Sequence, residues 1–254
     1  MKIATWNVNS LKVRLPHLLQ WLAENPVDVL CIQETKLTDD KFPLAEINAA
    51  GYQAVFTGQK TYNGVAILSK HPLLDVVRNN PRFEDEQQRI IAATVEGIRI
   101  ICAYVPNGQM VDSDKYGYKL AWLASLREWL REEMGAHEHL AILGDYNIAP
   151  EDRDVHDPVE WAGQIHCSDR ERAALAALVD LGLCDSFRLF EQPEKSYSWW
   201  DYRQLAFRRN RGLRIDHILL SPTLAKRCVA CAIDRNPRKW DQPSDHTPVI
   251  ATLS

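Results

Sequence analysis

Residues Leu140–Pro150 read LAILGDYNIAP, and the fold turns on how this stretch is taken. Leu140-Ala141-Ile142-Leu143 is an apolar run of the kind that makes a buried strand, ending at Gly144. Asp145 and Asn147 follow, two residues apart. In an extended chain such side chains point the same way, so a carboxylate and an amide would stand side by side at a strand end, facing a cleft. The same residues also suit a turn. What separates the readings is whether the pattern recurs.

It recurs along the whole chain. Lys2–Thr5 is strand-like and runs into Trp6-Asn7-Val8-Asn9, and Val27–Ile32 runs into Gln33-Glu34-Thr35-Lys36. Ile98–Ala103 runs into Tyr104-Val105-Pro106-Asn107. Leu213–Leu220 carries Asp216 and His217 in an apolar run, and Ser244-Asp245-His246 precedes a last strand, Val249–Leu253. Polar groups beside apolar strands are costly to bury unless they are paired or bind a metal. Six such places in one chain predict convergence on one site.

Between them lie helical patterns at Leu11–Ala23, with Pro16 as a candidate true start, at Leu44–Ala49, at Leu120–Met134 and at Glu171–Leu181. Strands are expected at Gln53–Phe56 and Gly64–Leu68, and a hairpin at Ile90–Ala103. Strands mixed with helices in both halves predict an α/β sandwich with helices outside. No low-complexity linker divides the 254 residues, so a single domain over 1–254 is expected. A quarter of the residues are charged and 46% are hydrophobic, ordinary values for a globular protein. The sequence opens on a strand without a leader-like segment, and no apolar run approaches ~20 residues. A soluble, cytoplasmic protein that does not enter membranes is the expectation. The six cysteines are scattered and several fall in apolar strands, so they read as reduced core residues. Cys228 and Cys231 form a CxxC with no second pair, which argues against zinc.

Taken in order, Trp6–Asn9, Gln33–Lys36, Tyr104–Gly108, Gly144–Asn147, Gly212–Asp216 and Ser244–His246 resemble the motifs of the exonuclease III family. These are DNA-repair phosphodiesterases of the endonuclease/exonuclease/phosphatase superfamily, and the resemblance spans nearly the whole chain. It implies a four-layer αββα sandwich, two packed mixed β-sheets with helices outside, and a site at one end of the sheets. It also implies action on double-stranded DNA bearing 3′ ends, nicks or abasic sites, by a monomer.

Hydrolysing a phosphodiester needs an aligned water, neutralised phosphoryl oxygens and help for the leaving oxygen. Oxygen donors without a Cys/His cluster favour Mg²⁺ or Mn²⁺ over zinc. Glu34 is the first candidate ligand, with Asn7 and Asn9 beside it and Asp245 as a second acid. Asp145 would orient or deprotonate the water, with Asn147 holding it and the phosphate. His246 would clamp the phosphate, its tautomer fixed by Asp216, and Tyr104 would hydrogen-bond the developing charge.

The net charge of −4 excludes a protein that coats nucleic acid by global positive charge. Binding must be local. Arg203, Arg208, Arg209, Arg211 and Arg214, interleaved with Tyr202 and Phe207, read as a backbone-gripping, base-stacking surface. By the resemblance, Ser196–Arg214 lines the sugar pocket, with Trp199, Leu213 and Ile215 in its wall, and Asn107 and Arg203 contact substrate. Lys36, Lys60, Lys115 and Lys119 are weaker phosphate contacts, or simply solubilising. His166 falls in a loop bordering the cleft and would tilt the enzyme toward frayed 3′ ends, as exonuclease or 3′-phosphatase, over abasic sites. Two other readings compete: a relative acting on inositol phosphates or phospholipid headgroups, and a catalytically dead nucleic-acid-binding regulator. The aromatic-and-Arg segment counts against the first, and the intact acidic residues against the second.

Overall fold

The central apolar runs form strands buried on both faces, and this decides the layering. In the computed structural model, which describes residues 1–254, the first part of the chain runs β1 (Lys2–Asn7), α1 (Leu11–Glu24), β2 (Val29–Gln33), α2 (Leu44–Ala49), β3 (Gln53–Thr57), β4 (Val65–Ser69), β5 (Leu74–Arg78), β6 (Ile90–Val95) and β7 (Ile98–Tyr104). The remainder runs α3 (Asp114–Ala136), β8 (Leu140–Asp145), α4 (Pro158–Trp161), α5 (Asp169–Val179), β9 (Cys184–Asp185), β10 (Asp216–Leu220), α6 (Pro222–Ala225), β11 (Cys228–Ile233) and β12 (Val249–Leu253).

The strands make two six-stranded sheets, ordered β11-β12-β1-β2-β4-β3 and β5-β6-β7-β8-β10-β9. Each has one parallel pair, β1 with β2 and β7 with β8. A parallel pair needs a long crossover, supplied by α1 in one sheet and α3 in the other. Ile3, Val29 and Cys31 of the first sheet face Ile100, Cys102 and Leu143 of the second in the inter-sheet core. The alternate residues look outward: Ala4, Leu30 and Ile32 pack on Leu18 and Trp21 of α1, and Ile101 and Ile142 pack on Trp122, Leu126 and Trp129 of α3. Such double burial is why these strands read as continuous apolar runs. The result is the four-layer αββα sandwich that the motifs implied.

Several boundaries move. Strand β8 does not stop at Gly144 but runs to Asp145. A Cβ at Gly144 would lie 1.8 Å from the Ala103 carbonyl oxygen, so glycine is there for close approach of β7, not for a turn. Pro16 sits inside α1 rather than at its start. The helix begins at Leu11 because the Ser10 and Leu11 amides bind the Glu34 and Thr35 carbonyls, and Pro16 lies on the exposed face. The helix expected from Leu120 starts at Asp114, capped by the Ser113 side chain on the Tyr116 amide. Leu213–Leu220 is not one strand. Only Asp216–Leu220 joins the sheet, while Leu213 makes isolated bridges to Val155 and Trp199.

Pairing register then gathers the polar tips. Tyr104 lies opposite Asp145, and Asp145 opposite Asp216, so three neighbouring strands of the second sheet end on one rung. Asn7 pairs with Gln33 at the matching end of the first sheet, one residue before Glu34.

Candidate active site

Asn7 ties the two sheets together. Its Nδ2 donates to Glu34 Oε1 and to Asp145 Oδ2, both at 2.9 Å, so one amide holds a carboxylate from each sheet. The Asn7 carbonyl oxygen of the backbone is in turn fixed by the Ser244 hydroxyl at 2.7 Å. Glu34 Oε1 also accepts from the Tyr104 hydroxyl at 2.9 Å, and its other oxygen pairs with Lys36 Nζ at 2.8 Å. Burial works against a charged Glu34, but the Lys36 ammonium and the Asn7 amide prevail and hold its carboxyl below the usual range.

Asp145 is 1% exposed. Its Oδ1 accepts the Asn147 backbone amide at 2.8 Å, and its Oδ2 lies 3.6 Å from His246 Nε2. Burial, reinforced by the Asp216 and Glu34 charges, pushes its carboxyl up to about 7 despite the pull of His246 and Asn7. His246 Nδ1 sits 2.9 Å from Asp216 Oδ2. Burial disfavours charge on this ring, but Asp216, Asp145 and Asp245 more than compensate and push it up to about 10. Both carboxylates thus favour the protonated ring, Nδ1 donating to Asp216 while Nε2 faces Asp145 beyond hydrogen-bond range. Ser198 Oγ supports this arrangement from behind, accepting the amides of Ile215 and Asp216 at 3.1 and 3.0 Å.

Asp145, Asp216 and His246 present three ligand-type atoms within 4.8 Å of one another, yet an imidazolium has no lone pair to offer a metal. The donor set that fits a cation is the oxygen set around Asn7, the Glu34 carboxylate first. That set is hard and suits Mg²⁺ or Mn²⁺. Asn9 and Asp245 stand further along, Asn9 Nδ2 donating to Asp245 Oδ1 at 3.0 Å and Asn9 Oδ1 accepting from Lys36 Nζ at 2.6 Å. Asp245 Oδ2 accepts the Trp199 indole N–H at 3.0 Å. Five residues here, Asn9, Glu34, Lys36, Asn147 and His166, lie in the left-handed region.

Trp199, Leu213 and Ile215 meet in a small apolar cluster with Val155, Cys167 and Trp161. Asn107 reaches Asn147 Oδ1 through Nδ2 at 3.3 Å. His166 is not a surface histidine. It is 6% exposed, its Nδ1 lies 2.7 Å from the Asn147 carbonyl, and its ring stands 6.2 Å from those of Trp161 and Trp199.

The basic stretch is largely spoken for. Arg214 is buried between Asp154 and Asp185 at 2.7 and 2.8 Å. Arg211 pairs with Glu160, and Arg203 with Asp201, each at 2.7 Å. Only Arg208 and Arg209 remain exposed and outside any ion pair. Lys119, read as a solubilising or phosphate-touching residue, is wholly buried against Glu171. Lys36, by contrast, is drawn into the site. Sequence reasoning missed Trp161, Arg89, whose guanidinium lies 4.8 Å over the Tyr104 ring, and Glu171. Only Glu171 had a readable signal, the Ser168-x-x-Glu171 capping box.

The model of the endonuclease/exonuclease/phosphatase family matches residues 4–246, and the chain belongs to that family. Within it, the chain is 38% identical over 265 residues to exodeoxyribonuclease III of Haemophilus influenzae, covering 99% of each chain. A 3′ phosphatase from Neisseria, solved with a product DNA hairpin, is 49% identical with a TM-score of 0.98, over 100% of this chain and 99% of that one. An AP endonuclease from Archaeoglobus fulgidus is 41% identical with a TM-score of 0.96, again over 100% and 99%. No helix is long and apolar enough to cross a membrane.

Proposed function

We propose that this chain is a divalent-cation-dependent DNA phosphodiesterase of base-excision repair. It removes nucleotides and blocking phosphates from 3′ ends, nicks included, and cleaves beside abasic sites as a lesser activity. The observation that carries the reading is Asp145, a buried carboxylate flanked by the Asn7 amide, the Asn147 backbone amide and the His246 ring where the two sheets meet. Its relatives are described as an exodeoxyribonuclease, a 3′ phosphatase and an AP endonuclease, all of them phosphoester hydrolases. Every group required comes from one chain, so a monomer suffices.

Glu34 would hold Mg²⁺ or Mn²⁺, with Asn7, Asn9 and Asp245 alongside, leaving Asp145 to the water. When bound, the cation supplies positive charge against the phosphoryl oxygens and acidifies water. The chain's own residues do the rest. Asp145 orients the attacking water and takes its proton. The Asn147 amide lines up water and phosphate. His246, held charged by Asp216, donates Nε2–H to a phosphoryl oxygen, and the Tyr104 hydroxyl donates to the developing charge. Burial first, then Glu34 and Asp145, raise Tyr104 well above its ordinary value, so it acts as a donor and not as a phenolate. Trp199, Leu213 and Ile215 receive the sugar, while Asn107 contacts the backbone.

A panel of 3′-recessed, 3′-phosphate and abasic duplexes tests this. With Mg²⁺ the first two are processed, with chelator none is, and Asp145→Asn loses about 10²–10⁴ in rate. Product formation in chelator, or a fully active Asp145→Asn protein, overturns the reading. His166 stands beside Trp161 and Trp199, 6.2 Å from each ring, where it would narrow the space open to an abasic sugar swung out of a duplex. His166→Ser is expected to raise abasic-site cleavage relative to 3′-phosphate release, and an unchanged ratio rejects that role.

A further inference from the structure

Lys119 and Glu171 are both 0% exposed, with Nζ 2.5 Å from Oε1. The three ammonium protons find three acceptors: that carboxylate, the Asn147 carbonyl at 2.7 Å and the Asn107 carbonyl at 3.2 Å. Glu171 is equally occupied. Its Oε1 also accepts the His166 amide at 3.0 Å, and its Oε2 accepts the Ser168 amide at 3.3 Å and the Ser168 hydroxyl at 2.5 Å. The Tyr116 hydroxyl lies 2.8 Å from Ser168 Oγ. Through these contacts helices α3 and α5 grip three loop residues, Asn107, Asn147 and His166, and the last two have φ of 51° and 72°.

Two packed helices need no buried ion pair, since apolar residues of like volume hold them at least as well. Here three of the pair's bonds go instead to loop backbone at the site edge, the Asn107 and Asn147 carbonyls and the His166 amide, and two of those residues have positive φ. We infer that Lys119 and Glu171 are a positioning pair, setting the Asn147 and His166 backbones and, through them, the Asn147 amide that aligns water and phosphate. The proposal rests on the reading of Asn147 given above. It touches no substrate atom and acts through the loops alone.

The double variant Lys119→Met/Glu171→Gln leaves no uncompensated charge in the interior, so it separates positioning from stability. Thermal melting and steady-state release of phosphate from a 3′-phosphate duplex with Mg²⁺ are measured together. The expected result is a melting temperature within a few degrees of wild type, kcat lower by about tenfold or more and KM little changed, because a misplacement of about 1 Å carries such a penalty. A folded double variant with wild-type kcat overturns the proposal. Should the double variant not fold, Ser168→Ala removes the hydroxyl bound to Glu171, with the α5 cap and the Tyr116 contact it also makes. Assayed well below its melting temperature, it should lower kcat by a few fold, and an unchanged kcat again overturns the pair's role. If the wild-type protein itself releases no phosphate, the functional reading fails, a result distinct from both.

Discussion

At the scale of single residues, the site is a set of charges that oppose one another, and His246 makes this measurable. Its folded pKa is pushed up to about 10 against an ordinary 6.5, so its contribution to stability is complete below about pH 6.5 and disappears as pH rises through about 10. Between pH 7 and 8.5 the folded protein therefore holds a proton that the unfolded chain has released. In chelator, stability should fall by about 2 kcal/mol across that window, and the melting temperature by about 4–8 °C. His246→Gln should flatten the slope, and a variant with the same slope would show that another group carries it. The residues of this centre were legible because acids, amides and a histidine recur at strand ends. Arg203, Arg211 and Arg214 were not, since a run of arginines looks alike whether its partners are phosphates or Asp201, Glu160 and Asp154. Lys119 was misread for the same reason: its partner Glu171 lies 52 residues away.

Among the elements, those with a period or an unbroken apolar run were readable and those defined by a neighbour were not. Strands β1, β2, β7 and β8, covered on both faces, announce themselves by composition. Strand β5 has an exposed or half-buried side chain at every position, β9 has two residues, and β11 lies at a sheet edge with Val229 and Ala230 exposed. None of these carries a pattern of its own. Helix α3 began earlier than its apolar stripe because Ser113 caps it, and α5 began earlier because Ser168 does. The break at Leu213 had no local sign: Arg214 turns inward to Asp154 and Asp185, which pulls the chain out of the sheet before Asp216 enters it.

At the scale of the molecule, a chain of net charge −4 has to bind a polyanion, and with Arg203, Arg211 and Arg214 already in ion pairs, its basic stretch offers few free cations to displace counterions. The salt dependence of DNA binding should accordingly be shallow, with a slope of log K against log salt of about −2 to −4 at about −0.9 per phosphate contacted. Replacing Arg208 and Arg209 by alanine should remove up to about 2 from that slope. A steep wild-type slope, or one untouched by the double replacement, would place the contacts elsewhere. The two sheets share one plan, each with six strands and one parallel pair bridged by a helix.

Strand β12 zips onto β1, Thr252 opposite Lys2, with the Met1 amine on the Leu253 carbonyl at 2.7 Å. A polypeptide leaving the ribosome has therefore made Asn7, Glu34 and Asp145 long before the strand that completes their sheet. Asp245 and His246 come just ahead of that strand. With the roles proposed for Asp245 and His246, a nascent copy cannot cut DNA until synthesis has passed both, so assembly itself delays the onset of a destructive activity.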